Sequence, residues 1–298
     1  MQIKLEWHYQ NQTGNTLKSF LKQHGISHRM FLSLRSDGEF TVNHKPITTN
    51  VKLQPNDLVQ VTLPDETSDP NVPVSERPID VVYEDANWLV VNKPAGLTSV
   101  PGPTNRTDTL VNRIKGHLVA EGSRDLRPHL ITRLDRFTSG IVLVAKHRIA
   151  NSFANQQVMN HAIDKRYLAL VQGHLNHSHG IIDFPIGKDE GEVKRRRMAD
   201  GQPAKTECWV LQTFERFSEV ELQLHTGRTH QIRVHLSAIG HPLLGDQLYD
   251  GPLDEEIDRQ ALHASSIKFY DTFQSQFVSF EVPMPSDMQA LIEKGAKK

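Results

Sequence analysis

Apolar residues recur at helical spacing near the start of the chain and at strand spacing soon after it. In the segment NTLKSFLKQHGIS, Leu17, Phe20 and Leu21 share one face of a helix, and the pattern breaks at Gly25. The segment HRMFLSLRSDG, which follows, predicts a second short helix. Two alternating runs, EFTVNHKPI and DLVQVTLP, then predict two strands with a turn at Asn43-His44-Lys45. A compact helix, helix, hairpin unit is therefore expected.

A polar segment rich in proline, serine and acidic residues, DETSDPNVPVSERP, follows this unit. It has no apolar periodicity, so it is predicted to be a linker. We therefore divide the chain into an N-terminal domain over residues 1–68, a linker over 69–78 and a second domain over 79–298.

The pattern of the second domain is dominated by strands, with helices between them. VVYEDANWLVV predicts two strands around a turn, and TDTLVNRIKGHL predicts a helix whose N-cap is Thr107 or Asp108. NSFANQQVMNHAI predicts another helix, KRYLALVQGHL a strand, and AKTECWVLQTFE with FSEVELQLHTG an antiparallel pair. Strands and helices in this arrangement predict an α+β protein.

A charged cluster precedes a run typical of the core. Ile141 to Ala145 is unbroken and largely β-branched, which is typical of a strand buried on both faces. Just before it, Asp135 stands between Arg133 and Arg136. In a structural role, Asp135 would accept hydrogen bonds from the amides of a turn while both arginines face solvent. Structural ion pairs also perturb carboxylates, so the position alone does not make Asp135 catalytic.

The segment LHTGRTHQIRVHLSAIGHPLLGD predicts a helix that has Thr229 as its N-cap and ends at Gly240. Its apolar stripe is formed by Ile232, Leu236 and Ile239. Arg233 lies at the flank of this stripe, where its charge either needs a partner or extends to solvent. Arg228 lies just before the helix, and helix N-termini attract phosphates. Tyr167, in KRYLALVQG, is either a core tyrosine or a ring on which a base can stack.

The composition indicates an ordinary soluble protein, with 37% hydrophobic and 23% charged residues. No apolar run approaches the ~18 residues that a membrane span needs, and the start of the chain lacks a signal-peptide pattern. Cys208 is the one cysteine, which excludes an internal disulfide and fits a reducing cytoplasm. Cys208 is predicted to be a small core residue in a strand.

The net charge of −1 argues against a protein that binds polyanions over its whole surface. Positive charge is nevertheless concentrated in VKRRRM, which contains Lys194, Arg195, Arg196 and Arg197. Such a run is either a solvated loop or a nucleic-acid contact. The 16 histidines suggest a metal site at first, but HLNHSHG, with His174, His177 and His179, has no cysteine or carboxylate at ligand spacing. No HExxH motif occurs either, so no metal site is expected.

Four segments taken together and in order resemble the RluA-type pseudouridine synthases: VVYEDANWLVVNKPAGL, RLDRFTSGIVLVAK, KRYLALVQG and LHTGRTHQIRVHLSAIGHPLLGDQLY. The N-terminal unit resembles the S-four-like RNA-binding domain that several members carry. The resemblance implies a cofactor-free enzyme that converts uridine in RNA to pseudouridine, on a mixed α/β fold built around a long antiparallel sheet. The implied partner is RNA, most commonly large-subunit ribosomal RNA and alternatively transfer RNA. We expect a cytoplasmic monomer.

The resemblance also assigns residues. Asp135 matches the catalytic aspartate, Tyr167 the active-site tyrosine, and Arg233 the basic residue that pairs with the aspartate. Arg133 matches an arginine that can occupy the space left by the flipped base. Thr132 departs from the pattern, because the family often has histidine there, and this difference concerns local RNA contacts rather than catalysis.

The remaining expected RNA contacts are Arg228 and the basic run over residues 194–197.

Isomerising a uridine requires a carboxylate at the nucleotide and a pocket that excludes water while the base is detached. Opposite charges ~4 Å apart attract by roughly 4 kcal/mol at an effective dielectric of 20, so Arg233 is expected to keep Asp135 ionised. Whether that carboxylate attacks the sugar or abstracts a proton stays open. One alternative is a non-catalytic RNA-binding protein, in which Asp135 is dispensable. The other is a glycoside hydrolase or base-excising enzyme, which usually needs two carboxylates flanking the bond.

Overall fold

The structure, a computed structural model, describes residues 4–10, 14–66 and 68–297. The predicted domain limits at residues 1 and 298 lie outside these ranges. The elements of the N-terminal unit are β1 (Lys4–His8), α1 (Leu17–Gln23), α2 (His28–Asp37), β2 (Glu39–Val42), β3 (Lys45–Pro46) and β4 (Leu58–Thr62). Its sheet has the order β1-β4-β2-β3.

The predicted helix, helix, hairpin plan is present in this unit. Leu17, Phe20 and Leu21 are buried. The turn between β2 and β3 has positive φ angles at Asn43 (50°) and His44 (64°), as expected of a tight hairpin. Strand β1, which pairs with β4, was not predicted. The likeness of the unit to an S-four-like domain stays a prediction.

The rest of the chain contributes twelve further strands, four helices and a 3-10 turn to the described part. The strands are β5 (Asp80–Glu84), β6 (Trp88–Lys93), β7 (His129–Leu130), β8 (Ser139–Ala145), β9 (Asp164–Gln172), β10 (His179–Asp183), β11 (Ile186–Gly187), β12 (Arg196–Arg197), β13 (Lys205–Thr213), β14 (Phe217–Leu224), β15 (Leu262–Asp271) and β16 (Gln276–Glu281). The helices are α3 (Leu110–Ala120), α4 (Arg148–Met159), α5 (Gln231–Ala238) and α6 (Ser286–Ala296), and the 3-10 turn is Gln247–Tyr249. None of the helices in the described ranges is long and apolar enough to cross a membrane.

Ten of these strands form one sheet, with the main order β10-β13-β14-β9-β15-β8-β6-β5. The antiparallel sheet that the resemblance implied is present except at its centre. There, β8 and β15 run parallel, with His263 opposite Ser139 and Ala264 opposite Gly140. The sheet is therefore mixed.

Strand β8 lies in the core, and all of its residues are buried, as predicted. Alternate residues of β8 and β6 belong to two clusters on opposite faces of the sheet. Val142 and Val144 pack in the cluster that contains residues of α3 and α5. Ile141 and Leu143 pack in the cluster that contains residues of α4. The predicted core position of Cys208, in β13, is confirmed.

Three details of the predicted helices are wrong. The N-cap of α3 is Thr109, because Asp108 instead binds Arg113 through two hydrogen bonds of 2.8 and 3.0 Å. The N-cap of α5 is His230, not Thr229, and its φ of 58° is left-handed. Ile239 is 41% exposed, since α5 ends at Ala238 and the apolar stripe ends with it.

The predicted linker lies along α3. Asn112 Nδ2 donates to Pro73 O at 2.8 Å, and Ser75 Oγ donates to Asp108 Oδ1 at 2.9 Å. A Cβ at Gly116 would lie 2.0 Å from Ser75 O, so this glycine allows the linker to approach the helix. The limits of the two domains stay a prediction.

The N-terminal unit packs against α4. Ile149 and Phe153 of α4 belong to the same core cluster as Leu17 and Phe20. Ser152 Oγ also donates to Gly25 O at 3.1 Å. The two predicted domains therefore share buried apolar surface.

Candidate active site

A short turn before β8 carries Asp135. Thr138 N donates to the backbone carbonyl of Asp135 at 3.1 Å, which closes the turn. Ser99 Oγ holds the preceding residue, donating to Leu134 O at 2.6 Å. The Lys93 ammonium holds the following one, donating to Arg136 O at 3.2 Å. Asp135 therefore lies on a loop that is held by hydrogen bonds at the residue before it and at the residue after it.

The carboxylate of Asp135 is paired with an arginine rather than with turn amides. Arg233 Nη1 donates to Asp135 Oδ2 at 3.1 Å. The other side of the same guanidinium binds Asp246 through Nε and Nη2, both at 2.8 Å. Arg233 is buried, whereas the Asp135 side chain is 26% exposed. The predicted partnership of Arg233 and Asp135 is present in the structure.

Two carboxylates stabilise the charge of Arg233. Burial by itself lowers the pKa of this guanidinium, but the hydrogen bonds and charge of Asp246 and the charge of Asp135 outweigh it, so the pKa is raised. Tyr249 adds a ring face 4.8 Å from the guanidinium carbon. Arg233 is a permanent cation beside Asp135.

His230 lies near the same oxygen of Asp135 that Arg233 binds. Its Nε2 is 3.8 Å from Asp135 Oδ2, and its Nδ1 is hydrogen-bonded to Tyr249 Oη at 2.9 Å. Burial lowers the pKa of His230, and the negative charge of Asp135 opposes this shift. The pKa is lowered overall, which favours the neutral imidazole.

A cavity of about 500 Å³ opens in front of Asp135. The residues predicted for the site that line it are Arg133, Asp135, Tyr167, Arg228 and Arg233. Its apolar lining includes Leu134 and Ile232. A cavity of this size is within the range that small-molecule sites occupy, and it can hold one extruded nucleotide.

Tyr167, on β9, is 7% exposed and lines this cavity. Burial, together with the charge of Asp135, raises the pKa of its phenol, so the hydroxyl is neutral. Thr132, where the family often has histidine, also lines the cavity, and its Oγ1 accepts a hydrogen bond from Leu143 N at 3.0 Å.

Lys93 holds the loop that carries Asp135, a role not predicted from the sequence. Its Nζ is fully buried and lies within hydrogen-bonding distance of three backbone carbonyls, Pro94 and Leu97 at 2.9 Å and Arg136 at 3.2 Å. Burial lowers the pKa of Lys93 to about 7, and the charge of Asp135 opposes the shift. A lysine inside an apolar strand pattern, WLVVNK, was the signal that could have marked it.

Asp246, His230 and Tyr249 were also not assigned roles from the sequence. Each lies within or directly after the longest motif, but their roles depend on contacts between segments that spacing does not give. Lys165 was missed as well. It lines the cavity, and burial lowers its pKa while Asp164 opposes the shift.

The predicted RNA-binding residues differ in their position relative to the cavity. Arg133 is exposed at the cavity. Arg228 donates to Pro203 O at 3.0 Å and lines the cavity too. The basic run over residues 194–197 lies beside this cavity rather than in it, since none of its members is part of the lining.

One group of side chains in the described part of the chain has a geometry that could hold a metal ion: Glu84, His117 and Glu121. None of the three lines the cavity. The Lys146 ammonium lies 2.5 Å from Glu84 Oε1 and already supplies a positive charge there. This group therefore carries no functional assignment.

Comparisons with known proteins identify the family of the chain. The family model described as RNA pseudouridylate synthase matches residues 87–238. The uncharacterised RNA pseudouridine synthase YjbO of Bacillus subtilis is 38% identical over 280 residues, which cover 93% of this chain and 98% of that protein. Ribosomal large subunit pseudouridine synthase D of Zymomonas mobilis is 36% identical over 258 residues, 81% of this chain and 80% of that protein.

Among solved structures, Human RNA Pseudouridylate Synthase Domain Containing 4 has a TM-score of 0.61 at 24% identity. The match covers 73% of this chain and 93% of that chain, and it concerns the fold alone. The family expected from the sequence motifs is confirmed by the family model and by the relatives. The chain belongs to the RluA-type family of RNA pseudouridine synthases and is an isomerase that acts on RNA.

Proposed function

We propose that this chain converts uridine to pseudouridine in large-subunit ribosomal RNA and that Asp135 is its catalytic carboxylate. The substrate is proposed because relatives of similar length are named ribosomal large subunit pseudouridine synthase D. The observation that carries the catalytic role is the geometry of Asp135. It is a partly exposed carboxylate that lines the cavity and is bound at 3.1 Å to a buried arginine.

The reaction breaks the bond between ribose C1′ and uracil N1 and forms a bond between C1′ and C5. C5 loses a proton and N1 gains one, so substrate and product contain the same atoms. A carboxylate next to C1′ can assist either by attacking the sugar or by removing a sugar proton. Arg233 can pair with this carboxylate before either step, because Asp246 fixes the guanidinium from the other side.

The detached uracil must be kept from solvent while it turns. Tyr167 offers a ring face for stacking, and Leu134 and Ile232 line the same cavity. Arg133, exposed at the cavity rim, is proposed to occupy the gap left in the RNA when the nucleotide is extruded. Arg228 and the basic run over residues 194–197 are proposed to bind phosphates.

We also propose that the enzyme is cytoplasmic, because its one cysteine, Cys208, is buried as a free thiol and needs no oxidising compartment. We further propose that it acts as a monomer and recruits RNA partly through an S-four-like domain in its first 68 residues.

The test is pseudouridine mapping across ribosomal and transfer RNA in cells with the gene, without it, and with Asp135→Asn. We expect one or more large-subunit uridines to lose modification without the gene and to stay unmodified with Asp135→Asn. The purified variant should keep its melting temperature and RNA affinity while turnover falls by several orders of magnitude. Sites restricted to transfer RNA would change the proposed substrate. A fully active Asp135→Asn would exclude Asp135 as the catalytic carboxylate, and the absence of any lost site without the gene would leave an RNA-binding role.

A further inference from the structure

A second cavity, of about 400 Å³, lies beside the catalytic one. Arg228 and Thr229 line both cavities, so the two are adjacent. The side chains that give the second cavity its chemistry are Lys188, Arg195, Met198, Asp200, Gln202 and Arg228. Three cations and one carboxylate leave an excess of positive charge, which favours an anionic occupant.

Arg195 differs from its neighbours in the basic run. Lys194 pairs with Asp250 at 2.9 Å, and the guanidinium of Arg196 pairs with Asp189 at 2.5 and 2.7 Å. Arg197 lies over the ring of Phe184, 4.9 Å from its centre.

Arg195 forms no ion pair with any residue in the described ranges, and its Nε is buried without a hydrogen-bond partner there. Arg195 also lines the cavity. Its guanidinium can therefore bind a ligand there without giving up an ion pair within the described part of the chain.

The main chain of Arg195 connects this cavity to the catalytic centre. Arg195 N donates to Tyr249 Oη at 2.9 Å, and the same oxygen is hydrogen-bonded to His230 Nδ1 at 2.9 Å. His230 in turn lies 3.8 Å from Asp135. An RNA strand with its target uridine at Asp135 therefore has its next nucleotide within reach of the second cavity.

We infer that the second cavity binds the nucleotide adjacent to the target uridine, with its phosphate on Arg195. The inference rests on the proposed function, since it needs RNA in the catalytic cavity. Arginine suits this role because its planar guanidinium binds phosphate oxygens in pairs and also supports a stacked base. Asp200 and Gln202 offer an acceptor and an amide to the edge of that base. The cavity would thus contribute to the choice of the modified uridine.

The experiment measures the affinity of the protein for a 12-nucleotide single-stranded RNA that has the mapped uridine at its centre. If mapping finds no site, oligo-uridine of the same length is used. Binding is followed by fluorescence anisotropy in an Asp135→Asn background, so that no turnover occurs. The phosphate on either side of the central uridine is replaced in turn by an uncharged methylphosphonate. Each RNA is measured with and without the additional change Arg195→Ala.

We expect one of the two methylphosphonates to weaken binding on the order of tenfold, the scale of a charged hydrogen bond. Arg195→Ala should weaken binding of the unmodified RNA by a similar factor, and the two changes together should weaken it no further. Arg195→Lys should recover part of the loss. Arg216→Ala removes an exposed arginine that lines neither cavity, and it should leave affinity within about twofold.

Multiplicative losses from Arg195→Ala and the methylphosphonate would overturn the inference, and so would the absence of any effect of Arg195→Ala in a protein with unchanged melting temperature. If the proposed function is wrong, a different result is expected: the wild-type protein forms no pseudouridine in this RNA. The affinity cycle reports on the second cavity in that case as well.

Discussion

Arg233 and Asp246 form a buried bidentate pair in which both hydrogen bonds are 2.8 Å long. The pair uses Nε and Nη2 of the guanidinium, so Nη1 is left pointing at Asp135. Asp246 thus orients the guanidinium so that its Nη1 faces the proposed catalytic carboxylate. Asp246 itself does not line the cavity.

Asp246→Asn should therefore lower turnover while RNA affinity changes little. Breaking a buried ion pair costs about 3 to 5 kcal/mol when a charge is left uncompensated, and Asp135 offsets part of that cost. We expect kcat to fall 10- to 100-fold and the melting temperature to fall by several degrees.

A matched control separates the two effects. Arg259 and Asp287 form a similar bidentate pair, at 2.7 and 2.9 Å. Asp287→Asn should lower the melting temperature and leave kcat near the wild-type value. Equal losses of kcat in both variants would mean that Asp246 acts only through stability.

Tyr167→Phe tests what the hydroxyl contributes. The hydroxyl forms no hydrogen bond with the residues that the structure describes, so its removal should leave the melting temperature unchanged. If the hydroxyl contacts the substrate, kcat should fall about tenfold, the value of a hydrogen bond of roughly 1.4 kcal/mol. Tyr167→Leu also removes the stacking ring and should reduce kcat further.

Tyr249→Phe is the comparison for stability. Its hydroxyl is hydrogen-bonded to both His230 and Arg195, so this variant should melt at a lower temperature than Tyr167→Phe. Unchanged kcat in Tyr167→Phe would restrict Tyr167 to a packing role.

Lys93 should make stability depend on pH. Its pKa is about 7 in the folded protein against an ordinary value of 10.5, so between these values the unfolded chain holds a proton that the folded chain lacks. The stability contributed by this group therefore rises with pH from about 7 to about 10.5.

We expect the free energy of unfolding of the wild type, relative to Lys93→Met, to increase by about 2 kcal/mol between pH 7 and pH 9. Chemical denaturation at both pH values measures it. A difference that does not change with pH would mean that the three carbonyls around Nζ retain the proton.

Removing residues 1–68 should give a folded but less stable catalytic domain. The deletion exposes Ile149 and Phe153, which are 0% and 5% exposed in the full chain, at a cost of about 3 to 5 kcal/mol. Calorimetry should show a lower melting temperature. The plot of log affinity against log salt should become shallower by about 0.7 per lost phosphate contact on single-stranded RNA.

A chain that starts at residue 64 provides the control. It keeps Glu66, which is buried and hydrogen-bonded to His129 at 2.9 Å. This longer chain should melt at a higher temperature than the chain starting at residue 69. Equal salt slopes in the full and shortened proteins would exclude the N-terminal unit from RNA binding.

Much of the fold was predictable because its elements are locally encoded. Helix α1 and the strands β13 and β14 have periodic apolar patterns, and β8 contains an unbroken apolar run. The errors occurred where local patterns are weak. Strand β1 has only Leu5 and Trp7 as apolar alternating residues, so its pairing with β4 could not be seen in the sequence alone.

The candidate site was predictable in part, because Asp135, Tyr167 and Arg233 lie in long motifs. Lys93 and Asp246 act through distant partners, and residue spacing gives no information about such contacts. Lys93 reaches Arg136 O across 43 positions of the chain. The parallel direction of β8 and β15 at the centre of the sheet could not be predicted from local sequence patterns either, because these strands come together only in the folded protein.

The parallel contact between β8 and β15 also determines when the protein can become active during its synthesis. Ser139 Oγ is hydrogen-bonded to His263 Nδ1 at 2.9 Å, and these residues are 124 positions apart. After Asp135 and β8 have been synthesised, roughly ten seconds more are needed to translate the chain as far as β15. During this time β8 lacks its neighbouring strand. A polypeptide truncated before β15 would contain every motif residue and still have no assembled pocket.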